Sequence, residues 1–358
     1  MEQKAHLSNS QAIFPCLNRR EQIVNSLRAG FFSLYNLGIR KTPIILNHKV
    51  TIRCDCRCLF CDSWKIKEDP KKLLTLDEIK HIFEQAKKLG LFLYSAWGGE
   101  PLLRSDLPEI LYLAKNSHFF TVLSTDGSLL AERAKELVNL VDLFLISLDG
   151  TEEKHDQIRQ YPGLFNRVVE GINQLRALGR TKIRLFSSVN TQNLDQIFAL
   201  AEFAREMKVS IYFYPTLRFP GYNDQLILSQ KQTEECFQKI IELKKQGYPI
   251  VNHYYYLETI RDGKETPCYF PKMHIYLDWE GTLYTCDLGP EHKGKVWGNI
   301  REINLSQLFS SPEFKRQTDQ MVNCNACRLS CWELGSGKWY QVLSRRLREK
   351  LIYEYWGQ

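Results

Sequence analysis

The 358-residue chain predicts an α/β fold, in which a parallel sheet covered by helices is followed by a smaller cysteine-rich unit. Three observations carry that expectation. From Lys49 to Pro215, short apolar runs alternate with helical patterns, the mark of parallel strands joined by helical crossovers. Beyond Gly247 the alternation stops. Of the eleven cysteines, four crowd into 54–61 and five are spread over 268–331.

The elements follow in order. "KVTIRC" reads as the first strand, and "TLDEIKHIFEQAKKLG" as a helix opening on Thr75 and stopping at Gly90. "LFLYSAW", "FFTVLST", "VDLFLISL", "KIRLFSSV" and "VSIYFYP" supply five more strands. "LPEILYLAKNS", "LLAERAKELVNL", "LFNRVVEGINQLRALG" and "LDQIFALAEFAREM" are the helices between them. Periodicity alone leaves a curled partial barrel and an open doubly wound sheet equally admissible. Either form places a site at the C-terminal ends of the strands. Further on, "HIYLDWEGTLYTC" reads as a hairpin turning at Glu280-Gly281.

Composition is that of an ordinary globular protein: 44% hydrophobic, 25% charged, net charge +7. The mild positive excess suits an acidic partner or a membrane surface and does not by itself indicate nucleic acid. The first residues lack an apolar signal-peptide core, and no run of roughly 18 apolar residues follows. A cytoplasmic location is therefore expected, where clustered thiols bind metal more often than they pair. Cys16 and Cys236 stand apart and read as inert thiols.

Cys54, Cys58 and Cys61 form C-x3-C-x2-C directly after a strand. Three thiolates on a tight loop hold three corners of an iron–sulfur cubane and leave one position open for a ligand. Cys56, two residues from each of two neighbours, is expected to point away from the shared centre. A zinc knuckle would need a companion C-x2-C or C/H pair nearby, and the next cysteine is Cys236.

With its aromatic Phe60 before the last cysteine, this loop resembles the radical S-adenosylmethionine (SAM) superfamily. The remaining motifs appear in the family's order: "GGEPLL" (Gly98 to Leu103), "STDG" (Ser124 to Gly127), "SLDG" followed by "HDQIR" (Ser147 to Arg159), and "VNTQN" (Val189 to Asn193). The resemblance covers residues 46 to 220 and implies a partial (β/α)6 TIM-like barrel. It further implies a 4Fe-4S cluster on Cys54, Cys58 and Cys61, with SAM completing the unique iron through its amino and carboxylate groups. In the family the reduced cluster cleaves SAM to methionine and a 5′-deoxyadenosyl radical, which abstracts a substrate hydrogen. Gly98 and Gly99 would let the backbone approach the ligand, and Glu100 would set a negative charge beside the ammonium. Ser124, Thr125 and Ser147 would serve the carboxylate and ribose, Arg159 would pair with the carboxylate, Phe60 would meet the adenine, and Asn190 would belong to the same cofactor site. Asp126 departs from the usual Asn of that motif and is expected to face substrate instead.

The second group, Cys268, Cys286, Cys324, Cys327 and Cys331, shows C-x12-G-x4-C around Gly281, "GNI" at Gly298 to Ile300, and C-x2-C-x3-C at the end. This resembles the family's SPASM and twitch extensions and implies one auxiliary iron–sulfur cluster of unspecified nuclearity; a zinc ribbon is the competing assignment. The expected domains are an amphipathic helical segment (1–45), a core barrel (46–250), an auxiliary-cluster domain (251–335) and a basic amphipathic helix (336–358). Basic, aromatic-rich termini suit contact with the inner face of a membrane or packing across the barrel. Tyr214, Arg218 and Tyr254 to Tyr256 are candidates to line the substrate space.

The expected activity is hydrogen abstraction from a peptide or small metabolite, with the auxiliary cluster assisting. A membrane lipid or other apolar chain is the second substrate class, and a non-catalytic iron–sulfur or zinc scaffold the competing function. The expected partners are SAM, one such substrate, and an electron donor such as flavodoxin or ferredoxin, without nucleic acid. The residues give no assignment of reaction outcome or of a catalytic side chain.

Overall fold

A computed structural model describes residues 36, 42–179, 182–265, 267–286, 294–324 and 327. Cys331, the C-terminal segment 336–358 and most of the segment 1–45 lie outside the described residues.

Six parallel strands, β1 (Ile45–Thr51), β2 (Leu93–Gly98), β3 (Phe120–Thr125), β4 (Leu143–Ser147), β5 (Ile183–Val189) and β6 (Ser210–Pro215), lie side by side in chain order. This order decides between the two architectures that periodicity left open. A doubly wound sheet reverses direction at a switch point and places helices on both faces. A sequential order with right-handed crossovers keeps every helix on one face. The result is the expected partial (β/α)6 barrel, with helices outside and a lumen inside.

The first helix, α1 (Leu76–Lys88), starts where the sequence placed it. Thr75 Oγ1 accepts from the Glu78 amide (3.3 Å), and Glu78 Oε2 accepts from the Thr75 amide (2.8 Å). This reciprocal cap satisfies two otherwise orphaned donors. The helix buries Ile79, Ile82, Phe83 and Ala86, at the i, i+3, i+4 spacing that places them on one stripe. The helices α2 (Leu107–Asn116), α3 (Leu130–Leu137), α4 (Glu153–Arg159), α5 (Leu164–Ala177) and α6 (Ile197–Glu206) follow in turn.

Strand alternation divides the sheet's two faces. Leu46, Val50, Tyr94, Ala96, Leu123, Phe144, Ile146, Leu185, Ile211 and Phe213 point outward and form the buried core with the helices. The intervening residues line the lumen, and several are small or polar: Asn47, Ser95, Ser124 and Ser147. Closed barrels fill these positions with branched aliphatic side chains. Here they leave a cavity of about 1290 Å³.

Beyond β6 the chain adds α7 (Gln230–Lys245), which the sequence reading did not single out, and α8 (Tyr254–Arg261). Between them residues 249–252 run beside β6: Ile211 donates to the Pro249 carbonyl (2.9 Å) and Val251 donates to that of Ile211 (2.9 Å). The buried Asn252 continues this pairing with its side chain. It accepts from the Phe213 amide (2.9 Å) and donates to the Phe213 carbonyl (2.7 Å).

The hairpin forms as expected from β7 (His274–Leu277) and β8 (Thr282–Tyr284), and β9 (Val296–Asn299) joins it. It does not build a separate sheet. β7 pairs in parallel with β1, giving nine strands in the order β6-β5-β4-β3-β2-β1-β7-β8-β9. For the same reason β1 begins four residues before Lys49: Ile45 to His48 are held on one side by β2 and on the other by β7. Two short helices, α9 (Leu305–Ser310) and α10 (Pro312–Met321), complete this region.

Replacing Asn252 with Ala leaves a buried amide and a buried carbonyl unmet. The expected cost is about 2–4 kcal/mol, read as a lower thermal midpoint with the far-ultraviolet circular dichroism of the folded protein unchanged.

Candidate functional site

The cysteine loop begins where β1 ends. Its base is fixed by Glu68, whose carboxylate accepts from the Ile52 amide (3.0 Å), bonds the Thr51 hydroxyl, and pairs with Arg53 (3.0 Å). Its far side is pinned to α4, because the Arg57 amide donates to the Arg159 carbonyl (3.1 Å) and the Leu59 amide to that of Ile158 (3.0 Å). The segment after β6 holds it from above: Tyr222 Oη donates to the Cys61 carbonyl (3.0 Å) and Asn223 Nδ2 to that of Phe60 (3.3 Å). First and last units of the barrel therefore meet over this loop.

Gly98 and Gly99 serve the same loop. The Gly99 amide donates to the Thr51 carbonyl (2.9 Å) and the Glu100 amide to that of Arg53 (2.7 Å). A Cβ on Gly98 would run into the Thr51 carbonyl oxygen, and one on Gly99 into those of Arg53 and Ile52. Gly98 also sits at φ +144°, which side-chain-bearing residues rarely adopt. The close approach that demands glycine is thus between β2 and the cysteine loop, in addition to any approach to a ligand.

Cys54, Cys56, Cys58, Phe60 and Cys61 all line the lumen, together with Gly98, Gly99, Ser124, Thr125, Asp126, Ser147 and Arg159. Cys56 does not turn away as expected. Its thiol donates to Asp126 Oδ2 (3.2 Å) from a site 1% exposed. Strand alternation ends at Thr51, so side-chain direction beyond it follows the loop and not the pleat. Asp126 likewise faces the cysteine loop and not a separate substrate space. Its Oδ1 accepts from the Ser128 amide (2.9 Å).

Electrostatics distinguish the thiols. Cys58 is held below its ordinary pKa, chiefly by the neighbouring Cys56 thiol and then by the Arg159 guanidinium, against the burial that raises it. Burial pushes Cys61 up. Cys56 is raised by its neighbours Cys54 and Cys58, by burial and by the Asp126 charge.

Arg159 is buried and paired. Its Nε donates to Asp149 Oδ2 (2.7 Å), its Nη1 lies 3.8 Å from Cys58 Sγ, and its guanidinium sits 5.3 Å from the Phe60 ring centroid. Sequence reasoning missed Asp149, although the carboxylate stood inside "SLDG". Asp149 Oδ1 accepts from the Ser188 amide (2.7 Å), which ties β4 to β5. Burial raises its pKa, and Arg159 together with that amide opposes the rise.

Two expected cofactor contacts lie elsewhere. Glu100 is fully buried and does not line the lumen; it accepts from Thr125 Oγ1 (2.7 Å), the Leu102 amide (2.9 Å) and the Asp126 amide (2.6 Å). It aligns the end of β3 with the end of β2. Burial, then the Asp126 charge, pushes its pKa well up. Asn190 is also buried off the lumen, where Nδ2 donates to the Ser188 carbonyl (3.0 Å) and Oδ1 accepts from the Gln192 amide (2.9 Å). Of the substrate-space candidates, Tyr214 and Tyr254 line the lumen, Tyr256 belongs to the core, and the exposed Arg218 pairs with Asp224 (2.6 Å).

In the second group, Cys268 lies within electrostatic range of Cys327, Cys286 and Cys324, and burial pushes it up to about 12. Its amide donates to the Val322 carbonyl (2.7 Å), which draws the strand-side and C-terminal cysteines together. Cys331 lies outside the described residues.

The donor chemistry fits iron–sulfur clusters at both places. Three thiols on a cavity wall suit a cubane with one open corner, and four gathered thiols suit a closed centre. A mixed set, Cys54, Asp55, Cys56 and Asp126, also brings ligand atoms within 4.8 Å of one another. Carboxylates favour hard cations, and Asp126 is already engaged by Ser128 and Cys56. The fold and site together define an iron–sulfur enzyme built on a partial barrel.

Comparison with known proteins agrees. Residues 49–204 match the radical SAM superfamily model, and residues 268–332 match SPASM, an iron–sulfur cluster-binding domain. An AdoMet-dependent heme synthase of Methanosarcina barkeri is 30% identical, covering 78% of this chain and 86% of that protein. The mycofactocin maturase MftC of Mycolicibacterium smegmatis is 32% identical over 80% of this chain and 74% of its own. Streptococcus suis SuiB bound to S-adenosylmethionine shares the fold, with a TM-score of 0.65 at 15% identity, covering 87% of this chain and 77% of that chain. The chain belongs to the radical SAM superfamily and carries a C-terminal SPASM domain.

Replacing Asp149 with Asn strands a buried guanidinium, with an expected loss of about 3–5 kcal/mol, measured as a drop in unfolding midpoint. Gly99→Ala should lower the iron retained at the first cluster, while Cys268→Ala should remove auxiliary iron and leave the first cluster's electron paramagnetic resonance signal in place.

Proposed function

We propose that this radical SAM enzyme abstracts a hydrogen atom from a small metabolite, or from one side chain of a peptide, held in the barrel lumen below SAM. One observation carries the reading: the thiol-lined mouth and the strand interior form one cavity of about 1290 Å³. Ordinary ligand pockets span roughly 300–1,000 Å³, so this one has room for a second molecule beside SAM.

When bound, the cluster and SAM supply the reductive cleavage that generates the hydrogen-abstracting radical. The protein's part is to bind, orient and exclude water. Cys54, Cys58 and Cys61 would hold the cluster, and Cys268, Cys286, Cys324 and Cys327 the auxiliary one. Phe60 offers a ring for the adenine; Ser124 and Ser147 present hydroxyls at the ends of β3 and β4; Arg159, fixed by Asp149, offers a guanidinium to a carboxylate. Glu100 and Asn190 act as positioning groups. The aliphatic walls of β1 to β4 exclude bulk water, and holding one C–H bond in place lowers the entropic cost of reaction.

Exposed Arg53, Arg57, Lys65 and Lys67 around the loop, with Leu59 and Ile66 between them, suit an acidic electron donor such as flavodoxin or ferredoxin. The heme synthase and the maturase among the relatives favour a metabolite or peptide substrate. The lipid reading rests on the two terminal segments, which lie outside the described residues for the most part. Among the described residues no helix is long and apolar enough to cross a membrane.

Anaerobic protein incubated with SAM and dithionite should form 5′-deoxyadenosine, and Cys58→Ala should not. Equal product from both would refute the proposal.

A further inference from the structure

Asp126 stands among thiols. It is 6% exposed and is the only carboxylate among the described residues that line the cavity. Its orientation is fixed at the end of β3: the Asp126 amide donates to Glu100 Oε2 (2.6 Å), and Asp126 Oδ1 accepts from the Ser128 amide (2.9 Å). The second carboxylate oxygen is left to the cysteine loop. Oδ2 accepts from the Cys56 thiol (3.2 Å) and lies 4.0 Å from Cys54 Sγ. Asp55 also brings an oxygen within 4.8 Å of this group but does not line the cavity.

The cysteine loop thus lies between opposite charges. Arg159 Nη1 stands 3.8 Å from Cys58 Sγ, and that guanidinium has an acid of its own in Asp149. Asp126, on the Cys54 side, has an amide and thiols for partners. A negative charge beside a ligand sulfur opposes the entry of an electron into a cluster, and a hydrogen bond donated to that charge offsets it. Both effects are larger at a buried site than in water.

We infer that Asp126 and Cys56 act together as positioning groups that set the reduction potential of the cluster held by Cys54, Cys58 and Cys61. The carboxylate lowers the potential through Cys54, and the Cys56 S–H, by occupying a lone pair of Oδ2, limits the fall. Cys56 thereby has a role at the site without being a ligand. This deepens the proposed function and rests on its assignment of the first cluster to those three thiols.

The test is a reductive titration of the anaerobic, cluster-loaded protein without SAM, followed by electron paramagnetic resonance. The first cluster's signal is the one that Cys268→Ala retains, and the auxiliary signal is the internal control. Asp126→Asn keeps an acceptor for the Ser128 amide and removes the charge. It should make reduction of the first cluster about tenfold easier, an upward shift of about 59 mV for one electron. Cys56→Ala should move the potential the opposite way, by roughly threefold in the same equilibrium. Cys56→Ser restores a donor and should return it toward the wild-type value. In the double variant Asp126→Asn/Cys56→Ala the change at Cys56 should add nothing, and the auxiliary signal should hold its potential throughout. Shifts of opposite sign that collapse in the double variant support the inference. An unmoved potential in Asp126→Asn, shifts of one sign in both single variants, or a Cys56 effect that survives in the double variant overturns it. Should Asp126→Asn retain no cluster, equal potentials in Cys56→Ala and Cys56→Ser overturn it as well. The measurement needs no SAM cleavage. A protein that forms 5′-deoxyadenosine at the same potential in every variant keeps its proposed function and loses only this role, whereas one without a reducible first cluster loses both.

Discussion

Everything at this site depends on how closely the end of β2 packs against the start of the cysteine loop. Gly98 and Gly99 admit the Thr51 to Arg53 backbone to a distance at which any Cβ would collide. Two backbone hydrogen bonds then fix the loop's position, and Glu68 clamps its base. Three thiols must converge from an irregular loop with one side left open. A loop held only by its own turns would not keep that geometry, because a short segment without ladder bonds has low local stability. Here strand ends on both sides and α4 beyond supply the missing constraints.

A second layer of buried charge supports the first. Arg159 and Asp149 pair with little exposure, and both also bond outward, Asp149 to the Ser188 amide and Arg159 toward Cys58. Such a pair is a costly way to gain stability, since desolvation offsets the attraction. Its use is placement: it sets a fixed positive charge beside Cys58, on the wall of the lumen. Glu100 acts similarly through neutral contacts, joining the ends of β2 and β3. Arg159, on the lumen wall, is thus oriented by Asp149, which lies off it.

The motifs were legible because their chemistry is local. The C-x3-C-x2-C spacing, the paired glycines and the strand-end serines each declare a function within a few residues. Roles set by distant contacts were not legible. Glu100 and Asn190 look like ligand groups in sequence, yet their atoms are consumed by backbone amides and carbonyls that only folding brings near. Cys56 read as an outward residue because two-residue alternation was carried past the end of β1.

By itself, the sequence determined the parallel α/β character, the position of each strand to within a few residues, the cysteine groups and the chemistry they imply. Hydrophobic period and metal-ligand spacing are properties of neighbours along the chain, so they can be read there. The curl of the sheet, which periodicity left open, was expected only through the resemblance of the motifs; tertiary structure alone decided that the SPASM hairpin extends the same sheet through β1. Those outcomes depend on strand order and register, which arise from contacts between residues far apart in sequence and leave no periodic trace in it.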